Sequence, residues 1–282
     1  MTSDHSKHFM HQSLSHRRLA LELEDIGLSF DADSKRVTAL ENITLKVDKG
    51  DFVALIGPSG CGKSSILRLV AGLQKQTSGN MFIGGRESGA TAVSVGLAFQ
   101  NPTMLPWLTI ERNIMLPLKV VPPFRHSYRK ERNGAFRDRV NALLGLVGLE
   151  QFSQHYPWQL SGGMLQRASL CRALIHEPEL LLLDEPFGAL DQFTREELWE
   201  IMQSIWQDRR PTVLLVTHDL REAAFLANRT IIMSPRPGRI LSDMAVPLSR
   251  PRTNEQSYSA EAIEFCRHLR QLISHPEKEV RK

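Results

Sequence analysis

Eight consecutive residues, Gly57-Pro58-Ser59-Gly60-Cys61-Gly62-Lys63-Ser64, have the composition needed to hold a chain of phosphates. Glycines let the backbone turn tightly, so that successive N–H groups point inward at an anion. Lys63 is long enough to reach a β- or γ-phosphate, and Ser64 can place its hydroxyl on Mg²⁺. A helix opening at Ser64 and Ser65 brings its positive end beneath the same phosphates. A glycine-rich β-turn without function explains neither the Lys-Ser pair nor the strand-loop-helix frame around it.

The frame comes from the apolar run Phe52-Val53-Ala54-Leu55-Ile56 before the loop and the helical stripe Ile66, Leu67, Leu69, Val70 after it. Three other apolar runs end in polar residues. Val93 to Phe99 delivers Gln100, Leu180 to Leu183 delivers Asp184 and Glu185, and Thr212 to Thr217 delivers His218. Continuous apolar runs alternating with helical patterns predict an α/β protein with a buried parallel sheet. Ligands of such sheets bind at the carboxyl ends of the strands. There Asp184 can bind Mg²⁺ and Glu185 can act as a general base toward water. Gln100 can sense a γ-phosphate through the metal or the water, and His218 can contact that phosphate directly. Singly, these residues read as a capping carboxylate, a loop glutamine and a core histidine; together with a phosphate loop they read as a site for ATP and Mg²⁺.

Leu160-Ser161-Gly162-Gly163-Met164-Leu165-Gln166-Arg167 forms a second anion-binding pattern, with Ser161 as a natural N-cap and glycines leaving N–H groups open at a helix start. Upstream, Leu19, Leu21 and Leu23 alternate with Ala20, Glu22 and Glu24, and alternation returns over Glu41 to Val47. This predicts two antiparallel strands beside the phosphate-loop strand. Phe30, closing the first, can stack on an adenine ring, although an isolated aromatic is more often ordinary packing. Prolines at 102, 106, 117, 122 and 123 and the stripe Phe136, Val140, Leu143, Leu144, Val147 predict a helical subdomain at about residues 101–175. Its basic run Arg125, His126, Arg129, Lys130, Arg132 reads as a solvated loop, with anionic lipid or a partner as the alternative. Beyond residue 246 a polar linker leads to a helix with Ile263, Cys266, Leu269, Leu272 and Ile273 at helical spacing.

Bulk properties narrow the function classes. At 282 residues, 41% hydrophobic and 23% charged, the chain has the balance of a globular protein with a sizeable core. A net charge of +4 is too small to argue for nucleic-acid binding. Three dispersed cysteines, Cys61, Cys171 and Cys266, suggest a reducing compartment without a disulfide framework. Alkylation of Cys61, inside the phosphate loop, is expected to block nucleotide binding. Residues 1–18 are polar, carry His5, His8, His11 and His16, and read as a disordered tail. No run approaches the ~20 apolar residues of a membrane span, so membrane work requires a partner.

These motifs, in this order over residues 19–245, resemble the nucleotide-binding subunits of ATP-binding cassette (ABC) transporters. Gly57 to Ser64 is similar to that family's Walker A loop, Gln100 to its Q-loop glutamine, and Ser161, Gly162 and Gly163 to its signature. Asp184 and Glu185 match Walker B with its catalytic glutamate, Gly188 to Asp191 the D-loop, and His218 the switch histidine. Phe30 falls where the family places its adenine-stacking aromatic. The resemblance implies a P-loop NTPase (RecA-like) core of parallel sheet, an antiparallel β subdomain and an inserted helical subdomain carrying the signature. It also implies a head-to-tail pair with a second copy or a homologous ATPase subunit. Each ATP would then lie between one Walker A loop and the partner's signature, near its Asp191. A transmembrane permease and, indirectly, a substrate-binding protein follow as partners, at the cytoplasmic face of the inner membrane, with no nucleic acid. Met164 stands where many members have Gln and Leu165 where related importers often have Arg, and neither removes a phosphate-contacting group. The stretch Phe99 to Trp107 looks like the branch serving nitrate, taurine and alkanesulfonate importers. An ABC ATPase acting on nucleic acid or ribosomes usually carries paired cassettes, and a non-hydrolytic regulator needs neither Glu185 nor His218.

Overall fold

Three five-residue runs are buried at every position: Phe52–Ile56, Leu180–Asp184 and Thr212–Val216. Side chains in such strands are covered on both faces, which is why they read as unbroken apolar stretches. The computed structural model describes residues 19–32, 35–87 and 93–275. The expected tail at 1–18 lies outside them.

In chain order the structure begins with β1 (Leu19–Ala32), β2 (Lys35–Asp48), β3 (Phe52–Ile56) and α1 (Lys63–Val70). Then come β4 (Ser78–Ile83), β5 (Arg86–Glu87), β6 (Val95–Ala98), α2 (Ile110–Ile114), α3 (Leu116–Val120), α4 (Phe124–Glu131) and α5 (Ala135–Leu146). The remaining elements are α6 (Gly162–Leu174), β7 (Leu180–Asp184), α7 (Gln192–Arg209) and β8 (Thr212–Val216). They end with α8 (Leu220–Leu226), β9 (Arg229–Met233), β10 (Ile240–Ala245) and α9 (Ala260–Ser274). The chain divides into two compact units. One comprises the described residues of Met1–Val93, Thr212–Leu248 and Ser259–Lys282, and the other comprises Ser94–Pro211 and Ser249–Tyr258.

In the first unit β3 lies between β8 and β9, parallel to both, and β10 pairs antiparallel with β9. Helix α1 follows β3 and buries Ile66, Leu67, Leu69 and Val70, the stripe expected for it. Strands β1 and β2 pair antiparallel, as their alternation implies, but with β4 and β5 in a sheet ordered β2-β1-β4-β5 rather than beside β3. The reason lies in length. Both strands run 14 residues and shift register at bulges, so they form a long twisted ribbon whose second edge is taken by β4. At the C-terminal helix the buried positions are Ala262, Phe265 and Leu269, while Ile263 is 49% exposed. Of the stripe read in the sequence, Leu269 is buried, Cys266, Leu272 and Ile273 are half-buried and only Ile263 is exposed, while Ala262 and Phe265 complete the buried face.

In the second unit β6 and β7 pair in parallel, from Val95 opposite Leu180 to Ala98 opposite Leu183. The stripe Phe136, Val140, Leu143, Leu144 and Val147 is buried throughout. Arg125, His126, Arg129 and Lys130 of the basic run lie on helix α4 rather than in a loop, and Arg132 is its C-cap. Phe124 and Tyr128, one turn apart, set their rings 6.1 and 6.3 Å from Phe136, and these contacts hold a strongly polar segment in helical form. The loop leading into α2 is organised by one side chain. Asn113 is wholly buried; its Oδ1 accepts from Leu105 N at 2.7 Å, and its Nδ2 donates to the carbonyls of Leu105, Leu108 and Thr109. The linker beyond Leu248 is pinned to α7. Gln203 donates to the Arg252 carbonyl at 2.8 Å and accepts from the Arg252 amide at 2.9 Å. Burial lowers the Arg252 guanidinium to about 10. Burial and the nearby Arg252 and Arg210 charges lower that of Arg250 to about 9.

Replacing Asn113 by Ala strands a buried amide and several buried carbonyls, so it is expected to lower unfolding free energy by about 2–3 kcal/mol. Urea denaturation of the two proteins, read as a drop in midpoint at constant slope, checks this.

Candidate active site

The sharp turn after β3 is where the first unit can hold an anion. Gly57, Gly60 and Gly62 all have positive φ, and Lys63 opens α1 behind them with no acidic residue in the first helical turn. The positive helix end is therefore not neutralised from within. Lys63 itself is only 7% exposed, and its ammonium donates to the carbonyls of Gly57 at 2.8 Å and Pro58 at 2.9 Å. Both bonds satisfy a charge that burial would otherwise make costly. Ser59 is exposed, and Ser64 and Ser65 are half-buried on the opening turn of α1.

A second segment braces this loop, and the sequence offered no sign of it. Gly238, between β9 and β10, donates its N–H to Ala39 O at 2.9 Å and accepts at its carbonyl from Glu41 N at 3.0 Å. A Cβ at 238 would stand 2.0 Å from the Cys61 carbonyl oxygen, so the backbones meet at a distance only glycine permits. On the other side Gly62, with φ 104°, would drive a Cβ to 2.4 Å from Leu40. Cys61 is wholly buried in this packing, with its sulfur 3.7 Å from the Lys63 ammonium. An alkylating reagent therefore reaches it only when the loop opens, so the expected block of nucleotide binding by alkylation requires that opening.

Two more residues singled out in the sequence belong to this unit. Phe30 is 44% exposed near the end of β1, opposite Val37, and leaves an aromatic face open to a ring. His218 is exposed immediately after β8 and its neighbour Thr217.

In the second unit Asp184 ends β7 with 7% exposure, and Glu185 follows in the left-handed region at φ 47°. That conformation costs on the order of 1–3 kcal/mol for a residue with a side chain, and such strain is concentrated at functional positions. Gln100 is brought to Glu185, its Nε2 donating to the carboxylate Oε2 at 3.1 Å. A third residue, Gln166 on α6, holds both. Its Nε2 donates to Glu185 O at 3.1 Å and lies 3.4 Å from Gln100 O, while its Oε1 accepts from Ala189 N at 3.1 Å. Gln166 is 4% exposed, and a polar residue at a core-facing helical position is the signal that marks it.

The signature segment stands at the start of α6. Ser161 is the N-cap, accepting from Met164 N at 3.3 Å, with no acidic residue in the first turn. Gly162 faces open space, whereas a Cβ on Gly163 would come 2.9 Å from Leu190. Asp191 caps α7 through Thr194 N at 3.1 Å, and that hydrogen bonding holds its carboxyl below the ordinary range.

A family model described as ABC transporter matches residues 40–188. The chain is 40% identical over 239 residues to the aliphatic sulfonates import ATP-binding protein SsuB of Bacillus cereus, covering 84% of this chain and 91% of that one. It is 41% identical over 236 residues to the nitrate import ATP-binding protein NrtD of Synechococcus elongatus, covering 83% and 84%. A solved dimeric ATP-binding cassette in a post-hydrolysis state, bound to ADP and Pi, matches with a TM-score of 0.71 and 30% identity. The match covers 81% of this chain and 100% of that one. The chain belongs to the ABC transporter family, as an ATP-binding cassette with the α/β P-loop fold.

Gly238→Ala is expected to raise the Kd for ATP about tenfold, because the added methyl overpacks the brace against Cys61. Equilibrium binding of a fluorescent ATP analogue checks this. Gln166→Leu is expected to lower the hydrolysis rate about tenfold or more while leaving ATP affinity unchanged, because it releases Glu185 and Gln100 without touching the phosphate loop. Steady-state kinetics beside the same binding assay separates the two effects.

Proposed function

We propose that this chain is the ATP-hydrolysing subunit of an importer, which dimerises on ATP and powers a separate membrane permease carrying a small anion or sulfonate-like solute. The observation that carries the reading is the fixed carboxylate of Glu185, strained at φ 47°, hydrogen-bonded by Gln100 and tethered through Gln166. A carboxylate held in this way can accept a proton from water without first reorganising.

The remaining roles follow from chemistry. Gly57, Pro58, Ser59, Gly60, Cys61, Gly62, Lys63, Ser64 and Ser65 hold the phosphates, and Phe30 stacks on the base. Gln100 orients the water, and His218 contacts the γ-phosphate. The oxygens of Ser64, Gln100 and Asp184 are hard donors suited to Mg²⁺, which is held by few protein groups and leaves its other positions to water and phosphate. When bound, that ion would neutralise charge developing on the phosphates. Ser161, Gly162 and Gly163, with Asp191, serve the nucleotide of the partner subunit. Support for this comes from the uncovered N-terminal turn of α6, which lacks an acidic residue.

The import reading draws on the sulfonate and nitrate relatives. Among the described residues no helix is long and apolar enough to cross a membrane. Attachment to the cytoplasmic face of the inner membrane is accordingly assigned to a permease, with a substrate-binding protein acting one step removed. The domain reading is an ATPase domain at residues 19–245, with a helical subdomain at about 101–175, followed by an extension at 246–282.

ATP hydrolysis measured against protein concentration, for wild type and Glu185→Gln, tests the proposal. Activity should rise more steeply than linearly and fall about a hundredfold or more in the variant. The variant should still bind ATP and elute as a dimer with ATP and Mg²⁺, whereas Lys63→Ala should lose binding itself. Linear activity that survives Glu185→Gln overturns the assignment.

A further inference from the structure

The second unit contains a cavity of about 650 Å³ between α2, α3, α4 and the start of α5, within the size range of small-molecule sites. Its lining is unlike that of an ordinary surface fold. Arg112, Lys119, Arg129 and Arg132 all border it, and among the described residues none of the four has an ion-pair partner. The only lining carboxylate, Glu111, is already occupied on both oxygens. One faces Arg137 Nε at 3.5 Å, and the other accepts from Gln154. Four positive charges therefore share one concavity with no negative charge left to meet them. Like charges gathered at one place repel, and an anion there relieves that repulsion.

The lining is apolar as well as cationic. Leu108 and Leu116, both half-buried, contribute to it. A surface with apolar side chains and several guanidinium groups matches an organic oxyanion with a hydrocarbon stem, the stem covering the apolar residues and the oxygens taking charge-assisted hydrogen bonds. It matches a bare inorganic ion less well, because that would leave the apolar part uncovered.

We propose that this cavity is a binding site for an amphipathic oxyanion, an alkyl chain ending in a sulfonate or phosphate. The site is separate from the phosphate loop and independent of the ATPase assignment. The same chemistry is available from a free solute or from the headgroup of an anionic phospholipid.

Isothermal titration of the full chain with hexanesulfonate, at constant ionic strength in chloride, tests it. Saturable uptake of one anion is expected, about tenfold or more tighter than methanesulfonate because the stem is buried. Binding should weaken about tenfold or more in R129A/R132A and likewise in Arg112→Gln, and be unchanged in Lys63→Ala. Among the described residues the arginines have no ion-pair partner, so the variants should fold, as their circular dichroism and ATP affinity will show. In parallel, the proteins are sedimented with phosphatidylcholine vesicles with and without phosphatidylglycerol. Retention that requires both phosphatidylglycerol and the two arginines, without hexanesulfonate uptake, supports the site with lipid as its source. Failure of both assays overturns the proposal, as does hexanesulfonate binding that survives R129A/R132A or vanishes in Lys63→Ala.

Discussion

An ammonium group buried to 7% exposure needs hydrogen bonds to replace the water it has lost, and Lys63 obtains them from its own loop. The carbonyls of Gly57 and Pro58 turn onto it, so the loop has to close back over the side chain that follows it. Closure on that scale requires glycine at Gly62, where φ is 104° and Leu40 leaves no room for a Cβ. It also requires support from outside. The loop backbone at Cys61 is met by Gly238, which is itself tied to Ala39 and Glu41. One charge thus fixes the shape of the anion site, and three separated stretches of chain keep it fixed.

The second unit solves a comparable problem with an uncharged side chain. Glu185 sits in a conformation that residues with a Cβ disfavour, and it carries the carboxylate proposed as the base for hydrolysis. The amide of Gln166 uses both its donor and its acceptor on this turn, binding the backbone at Glu185 and Ala189, and it also approaches the Gln100 carbonyl. Hydrogen bonds inside a protein are costly to leave unmade. A buried amide with its partners in place therefore holds the strained turn more firmly than an apolar side chain of the same size would.

Arginine is used in two opposite ways in the same unit. Arg250 and Arg252 are drawn onto α7 beside Gln203, and burial pulls their affinity for the proton down. The Arg250 guanidinium and the Arg252 backbone both bond Gln203 and so fasten the C-terminal extension. Arg112, Arg129 and Arg132 remain exposed around a cavity, and among the described residues none has an ion-pair partner. Composition does not separate these roles; burial does.

Much of the site was legible along the chain because its chemistry is local. A glycine loop ending in Lys63 and Ser64, an acidic pair after four leucines, and a Ser-Gly-Gly helix start are each complete within a few residues. Their order along the chain resembles that of one family, and the apolar runs before the loop and the acidic pair predicted the parallel strands that carry them. The tertiary structure decided what depends on distant residues meeting. Gly238 is an ordinary turn glycine until its backbone is set against Cys61, some 180 residues earlier. Gln166 becomes a tether only when α6 is laid against the turn after β7. Most of the basic run became helix α4 because Phe124 and Tyr128 found Phe136, and the last helix buries Phe265 beside Leu269. Periodicity tells which side chains can be buried together on one element. Which surface they are buried against is fixed by packing between elements, and that information is not held in any single stretch of sequence.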